Sequence, residues 1–180
     1  MTTEPASCAL LLKALAFAAD KHRGQRRKDI EASPYINHPI SLANVLANEG
    51  GISNAVVLCA GVLHDTIEDT QTTRAELQMQ FGEEIAVVVA EVTDDKSLPK
   101  EERKRLQIEH AAHISEHARL VKLADKICNL RDMVASPPAD WSLERRQEYF
   151  DWAKRVIDPM RGTHAGLEAR FDEICAKRPR

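Results

Sequence analysis

A chain of 180 residues, 43% hydrophobic and 29% charged, has the length for one domain with a buried core and the composition of an ordinary globular protein. A net charge of −3, with a pI near 6.2, excludes the overall basic field of a general nucleic-acid binder. The four cysteines, Cys8, Cys59, Cys128 and Cys175, form no Cys-x-x-Cys pair and are too few for a disulfide scaffold, so they read as reduced, mostly buried thiols of a cytoplasmic protein.

Residues 8–19 are apolar and alanine-rich, like the core of a signal peptide. The residues before them carry Glu4 and no positive charge, and Lys13 interrupts the run. They read as the first helix, over residues 7–22, capped by Ser7, with a face of Leu11, Leu12, Leu15, Ala18 and Ala19. No apolar run reaches membrane-spanning length, and no membrane partner is expected. His22 closes this helix as a solvated or locally bonded histidine. The run Lys21-His22-Arg23-Gly24-Gln25-Arg26-Arg27-Lys28 follows. Such a run is either a solvated surface or a phosphate-holding loop, since Arg and Lys both neutralise and hydrogen-bond phosphate oxygens.

Pro39 suits the first turn of a helix reaching about Asn48, stopped by Gly50-Gly51. His38 sits at that helix start, either as a cap or as a rigidly held ligand. A further helix is predicted from Ser53, as its N-cap, through the apolar run 55–63 and into Leu63-His64-Asp65-Thr66-Ile67-Glu68-Asp69. Continued helical spacing places His64 beside Glu68 and Asp65 beside Asp69. A polar cluster ending an apolar run needs a reason, because buried charge is costly unless paired or metal-bound.

Thr73-x-x-Glu76 forms a capping box for a short helix ending at Phe81-Gly82. Residues 83–93 are β-branched, yet no partner strand is evident, so they read as a buried helix. Residues 93–99 form a loop, and 100–110 a charged helix with Lys100, Arg103, Lys104 and Arg105. His110, His113 and His117 lack an acidic partner at fixed spacing and read as a connecting segment. Residues 118–133 carry an apolar stripe of Leu120, Leu123, Ala124, Ile127, Leu130 and the following Val134. Asp125 borders that stripe and requires a cation, from a side chain or a metal. Asn129 lies one turn further on. After Ser136-Pro137-Pro138, Ser142 starts a helix towards Arg161, and a last amphipathic helix fills 163–177.

The sum is one all-α domain over residues 1–180, of about eight to ten helices, with a core over about 30–135 and C-terminal helices over 142–177. His38, His64, Asp65 and Asp125 together offer two imidazoles and two carboxylates. That set suits Mn2+ or Fe2+, with Zn2+, Co2+ and Ni2+ as substitutes. A divalent ion makes water a nucleophile near neutral pH. Glu68 and Asp69 stand one turn on, placed to orient that water and take its proton. The basic loop at Arg27 and Lys28 suits a polyanion. The expected chemistry is metal-dependent phosphoester or phosphoanhydride hydrolysis.

These motifs resemble the HD phosphohydrolase superfamily and, more closely, its RelA/SpoT-type hydrolases of guanosine 3′,5′-bis(diphosphate). The likeness runs in order through Ala18-Ala19-Asp20-Lys21-His22-Arg23, Pro34-Tyr35-Ile36-Asn37-His38-Pro39, Leu63-His64-Asp65-Thr66-Ile67-Glu68-Asp69, Phe81-Gly82, Val92-Thr93-Asp94-Asp95-Lys96 and Leu123-Ala124-Asp125-Lys126-Ile127-Cys128-Asn129-Leu130-Arg131. The length is similar to that of the small stand-alone alarmone hydrolases known as metazoan SpoT homologues. The resemblance implies a single helical HD domain with Mn2+ at His38, His64, Asp65 and Asp125, and Glu68 and Asp69 as the catalytic pair. It also implies Arg27, Lys28, Tyr35, Lys100 and Asn129 as nucleotide contacts. The implied reaction removes the 3′-pyrophosphate of ppGpp or pppGpp, giving GDP or GTP and pyrophosphate. No length remains for the synthetase and regulatory domains of longer members, so degradation alone is expected. Two other readings stand beside it. One is an NADPH 2′-phosphatase using the same site. The other is a regulatory nucleotide-binding module with a dead site, against which the intact His-Asp and Glu-Asp sets argue. Neither the metal used in the cell nor the oligomeric state follows from the sequence.

Overall fold

The computed structural model describes residues 4–180 as an all-α fold. Its ten α-helices among the described residues are α1 (Glu4–Lys21), α2 (Asn37–Asn44), α3 (Ala55–Leu63), α4 (Thr66–Asp69), α5 (Arg74–Phe81), α6 (Glu83–Val92), α7 (Lys100–His110), α8 (Glu116–Ala135), α9 (Leu143–Ile157) and α10 (Ala165–Cys175). None is long and apolar enough to cross a membrane. The β-branched run in α6 is helical and supplies Ile85, Val88, Val89 and Val92 to the core.

Helix α3 is apolar nearly all round, so it can be stable only when enclosed. It packs against α1, α2, α6 and α8. Gly61 permits the close approach of α2: a Cβ there would meet Leu42 Cδ2 at 2.7 Å and Leu46 Cδ1 at 2.9 Å. The long helix α8 runs beneath this group and also carries α9 and α10. Phe150 and Phe171 bury the C-terminal pair.

Several local boundaries differ from the sequence expectation. Helix α1 begins at Glu4, so Ser7 lies inside it and does not cap it. Asn54, not Ser53, caps α3, its side chain accepting from Val56 N–H at 2.8 Å. The predicted helix to Asn48 becomes α2 followed by a wider turn over Val45–Glu49, closed by Gly50 N–H to Val45 O. Val134 is 41% exposed and falls outside the buried stripe. Helix α9 stops at Ile157, followed by a short 3-10 turn over Asp158–Met160. The cap at Ser142 is present, and Thr73 caps α5, although Glu76 turns to Lys21 instead of closing the box. All four cysteines are free; Cys59 and Cys128 are buried and Cys8 is exposed.

Candidate active site

Helices α2, α3 and α8 bring the four predicted ligands together. His38 Nε2 lies 3.2 Å from Asp125 Oδ1 and 3.9 Å from Asp65 Oδ2. His64 Nε2 lies 2.9 Å from Asp65 Oδ2 and 3.8 Å from Asp125 Oδ1. Both imidazoles are buried. The set His38, His64 and Asp65 converges closely enough to share one metal ion. His64 Nδ1 sits 2.8 Å from the Gly61 carbonyl, which fixes the tautomer with its hydrogen on Nδ1. Its Nε2 is buried, lacks a well-aligned hydrogen bond and is aimed at the carboxylates, where loss of its proton would leave a lone pair. That arrangement fits a divalent cation.

The chain does not run through His64-Asp65 as one helix. Helix α3 ends at Leu63, and Asp65 adopts φ −94°, ψ −2° before the separate turn α4. The bend swings Asp65 toward the histidines, while Asp69 N–H still bonds Asp65 O at 2.8 Å. Glu68 and Asp69 follow on that turn. Glu68 Oε2 accepts from Asp94 N–H at 3.1 Å, and Arg103 Nη1 approaches its other oxygen at 4.0 Å. Asp69 pairs with Lys96 from the loop after α6. The Tyr35 hydroxyl donates to Asp65 Oδ2 at 2.6 Å and lies 3.1 Å from Asp69 Oδ2.

Electrostatics sharpen this picture. Burial alone would depress His64, but the adjoining Asp65 carboxylate overrides it and lifts the imidazole from 6.5 to about 9. Burial would raise Asp65 and Asp125; the histidines, with Lys126 first at Asp125, hold both below the ordinary carboxylate range. Burial pushes Glu68 upward, although its hydrogen bond from Asp94 opposes this. Tyr35 is driven well above the ordinary phenol value by burial and by Asp65, so it stays a donor. Burial lowers Lys122 to about 8, with Lys126 beside it adding repulsion.

A chamber of about 220 Å³ is lined by the four predicted ligands together with Glu68, Asp69, Arg27, Tyr35 and Asn129. It shares its wall with an outer cavity of about 650 Å³, where Lys28, Lys96, Arg103 and Trp141 join. Arg27 Nη2 is tied to Asp132 at 2.6 Å and Asn129 at 3.2 Å. Asn129 also donates to Asp125 Oδ1 at 2.6 Å. Lys100 stands apart from the metal-side chamber, lining a neighbouring 310 Å³ cavity with Lys28, Lys104 and Arg145. Sequence reasoning missed Lys126, whose buried Nζ lies 3.0 Å from Asp125 Oδ2 and 4.5 Å from the Trp152 ring centroid. It also missed Lys96 and Tyr149 as lining groups. A lysine adjoining a carboxylate inside the apolar stripe was the available signal for Lys126.

An all-helical fold with His38, His64, Asp65 and Asp125 converging at one centre defines the class of His-Asp domain proteins. The chain belongs to the HD-domain family, whose profile matches residues 14–151. It is 55% identical over 166 residues to the guanosine-3′,5′-bis(diphosphate) 3′-pyrophosphohydrolase MESH1 of Xenopus tropicalis, covering 92% of this chain and 93% of that protein. It is 54% identical over 170 residues to the protein of the same name from Homo sapiens, covering 94% and 95%. A solved structure described as "A metazoan ortholog of SpoT hydrolyzes ppGpp and plays a role in starvation responses" superposes with a TM-score of 0.92 at 50% identity, covering 94% of this chain and 96% of that one.

Proposed function

We infer that this protein is a metal-dependent hydrolase that cleaves the 3′-pyrophosphate from ppGpp or pppGpp. The observation that carries the reading is the convergence of His38, His64, Asp65 and Asp125 with Glu68 and Asp69 on the next turn. The 3′-pyrophosphohydrolase names of its relatives supply the substrate. His38, His64, Asp65 and Asp125 would hold a divalent cation, with Mn2+ as the first choice, and that ion would supply the Lewis acidity that makes water a nucleophile.

The chain's own groups do the rest. Glu68 and Asp69 orient the attacking water and take its proton, and burial raises the proton affinity of Glu68. Water adds to the phosphorus bonded to the ribose 3′ oxygen; the P–O3′ bond breaks, and the proton taken from the water is returned to the leaving 3′ oxygen. Arg27, Lys28, Lys96 and Arg103 neutralise the diphosphate, and Tyr35 and Asn129 face the nucleotide. Lys100, with Lys104 and Arg145, offers a second anionic group its own cavity. That cavity also favours NADPH as a second substrate, since it too carries separated phosphates. Initial rates with ppGpp and NADPH at equal enzyme in Mn2+ separate the two. Pyrophosphate release from ppGpp at the higher rate supports the reading, and faster phosphate release from NADPH overturns its substrate.

A further inference from the structure

The turn Thr66–Asp69 carries both proposed proton acceptors, and four residues are too few to hold a helical turn unaided. Its last carbonyl, that of Asp69, lies at the turn's C-terminus, where backbone acceptors lack an internal partner. It accepts from Gln25 Nε2 at 2.6 Å, from a residue 44 positions earlier. Gln25 is itself held. Its Oε1 lies 2.8 Å from His22 Nδ1, and its backbone carbonyl accepts from Tyr35 N–H at 3.2 Å. His22 is 1% exposed, with its ring against Tyr35 at 4.8 Å between centroids.

A carboxamide donates only through nitrogen and accepts only through oxygen. Gln25 therefore serves the Asp69 carbonyl only while its oxygen faces a donor. His22 is that donor when its hydrogen sits on Nδ1. A flipped amide would set two acceptors against each other at Asp69. Neither His22 nor Gln25 bonds to any proposed metal ligand, so their contribution reaches the chemistry through the turn.

We propose that His22 and Gln25 are positioning residues of this active site. His22 orients the Gln25 amide, and Gln25 anchors the Asp69 carbonyl so that the Glu68 and Asp69 carboxylates stay aimed at the reacting water. The proposal rests on the hydrolase reading above.

His22→Phe keeps a ring against Tyr35 and removes the N–H. Gln25→Leu keeps bulk and removes both amide roles. Each is expected to lower kcat about 10- to 100-fold, as misaimed catalytic groups do, with KM and bound Mn2+ unchanged. The double variant should be no worse than Gln25→Leu alone, because His22 acts only through Gln25. His22→Asn, whose amide N–H can replace Nδ1–H, should recover activity. Hydrogen exchange at the Asp69 and Thr70 amides gives a readout independent of turnover, and it should quicken in both single variants. Gln25 is only half-buried, so Gln25→Leu carries the test if His22→Phe does not fold. Additive losses, a raised KM at constant kcat, or unchanged exchange at Asp69 and Thr70 would overturn the proposal. Wild-type protein that leaves ppGpp intact would refute the substrate reading instead, and the exchange data would still decide the positioning role.

Discussion

Lys126 Nζ lies 3.0 Å from Asp125 Oδ2, and both groups are withdrawn from solvent, the lysine side chain being 5% exposed. Burial alone would strip the lysine's charge, but Asp125 raises its proton affinity above the ordinary range. Removing one partner of a buried pair costs about 3–5 kcal/mol because the other charge is left uncompensated. Lys126→Met should lower the stability of the metal-free protein by about that much. Saturating Mn2+ should restore part of the loss by supplying charge at the same carboxylate. Thermal melts with and without Mn2+ check this; equal losses in both conditions would contradict it.

His64 predicts the pH response. Its folded-state pKa is raised from 6.5 to about 9. In metal-free protein the associated stabilisation is therefore full below about 6.5 and lost as pH rises through about 9. Metal binding has the opposite sign, because the ion displaces the proton on Nε2. Mn2+ affinity should strengthen by about tenfold per pH unit between roughly 7 and 8.5, with one proton released per ion. Calorimetric titrations in buffers of different ionisation heat measure that proton directly, and a pH-independent affinity would count against His64 as a ligand.

Asp65 and Glu68 are expected to fail in different ways. Asp65→Ala should lose metal and activity together, since its Oδ2 faces both histidines. Glu68→Gln should retain Mn2+ yet lose about 10²- to 10⁴-fold in kcat, the usual value of a positioned acid or base. Metal content by elemental analysis beside turnover distinguishes them. Unchanged metal in Asp65→Ala removes it from the ligand set, and wild-type turnover in Glu68→Gln removes Glu68 from proton transfer.

Gly61 links packing to the site. An added methyl meets Leu42 and Leu46, both fully buried, and the Gly61 carbonyl is the acceptor that fixes His64 Nδ1. Gly61→Ala should cost about 1–3 kcal/mol by overpacking. It should weaken Mn2+ binding as well. Denaturant unfolding and metal titration measured together test the link, and lost stability with unchanged metal affinity would break it.

The four residues that converge in the chamber could be singled out early because each announces itself locally. His38 precedes a helix-starting proline, His64-Asp65 ends an apolar run, and Asp125 borders an apolar stripe. The bend at Asp65 could not be read, because helical spacing continues through it; in the structure Thr66 is buried there and its hydroxyl donates to Leu63 O at 2.6 Å. Asn54 took the cap from Ser53, both being competent cap residues, and it is Asn54 that holds the extended cap backbone at φ −67°, ψ 115°. The requirement that Asp125 find a cation was legible, and Lys126 is its neighbour in sequence, but the approach of two histidines to the same carboxylate follows from the way α2, α3 and α8 meet. Lys96 reaches Asp69 from a loop 27 residues later, a placement that local pattern does not encode.

The most direct test of the account is product analysis of ppGpp hydrolysis in ¹⁸O-labelled water with Mn2+, beside a chelated control. Attack at the phosphorus on the 3′ oxygen predicts GDP and pyrophosphate, with the label in pyrophosphate, none in GDP, and no turnover under chelation. Label in GDP, turnover that survives chelation, or release of single phosphates would contradict it.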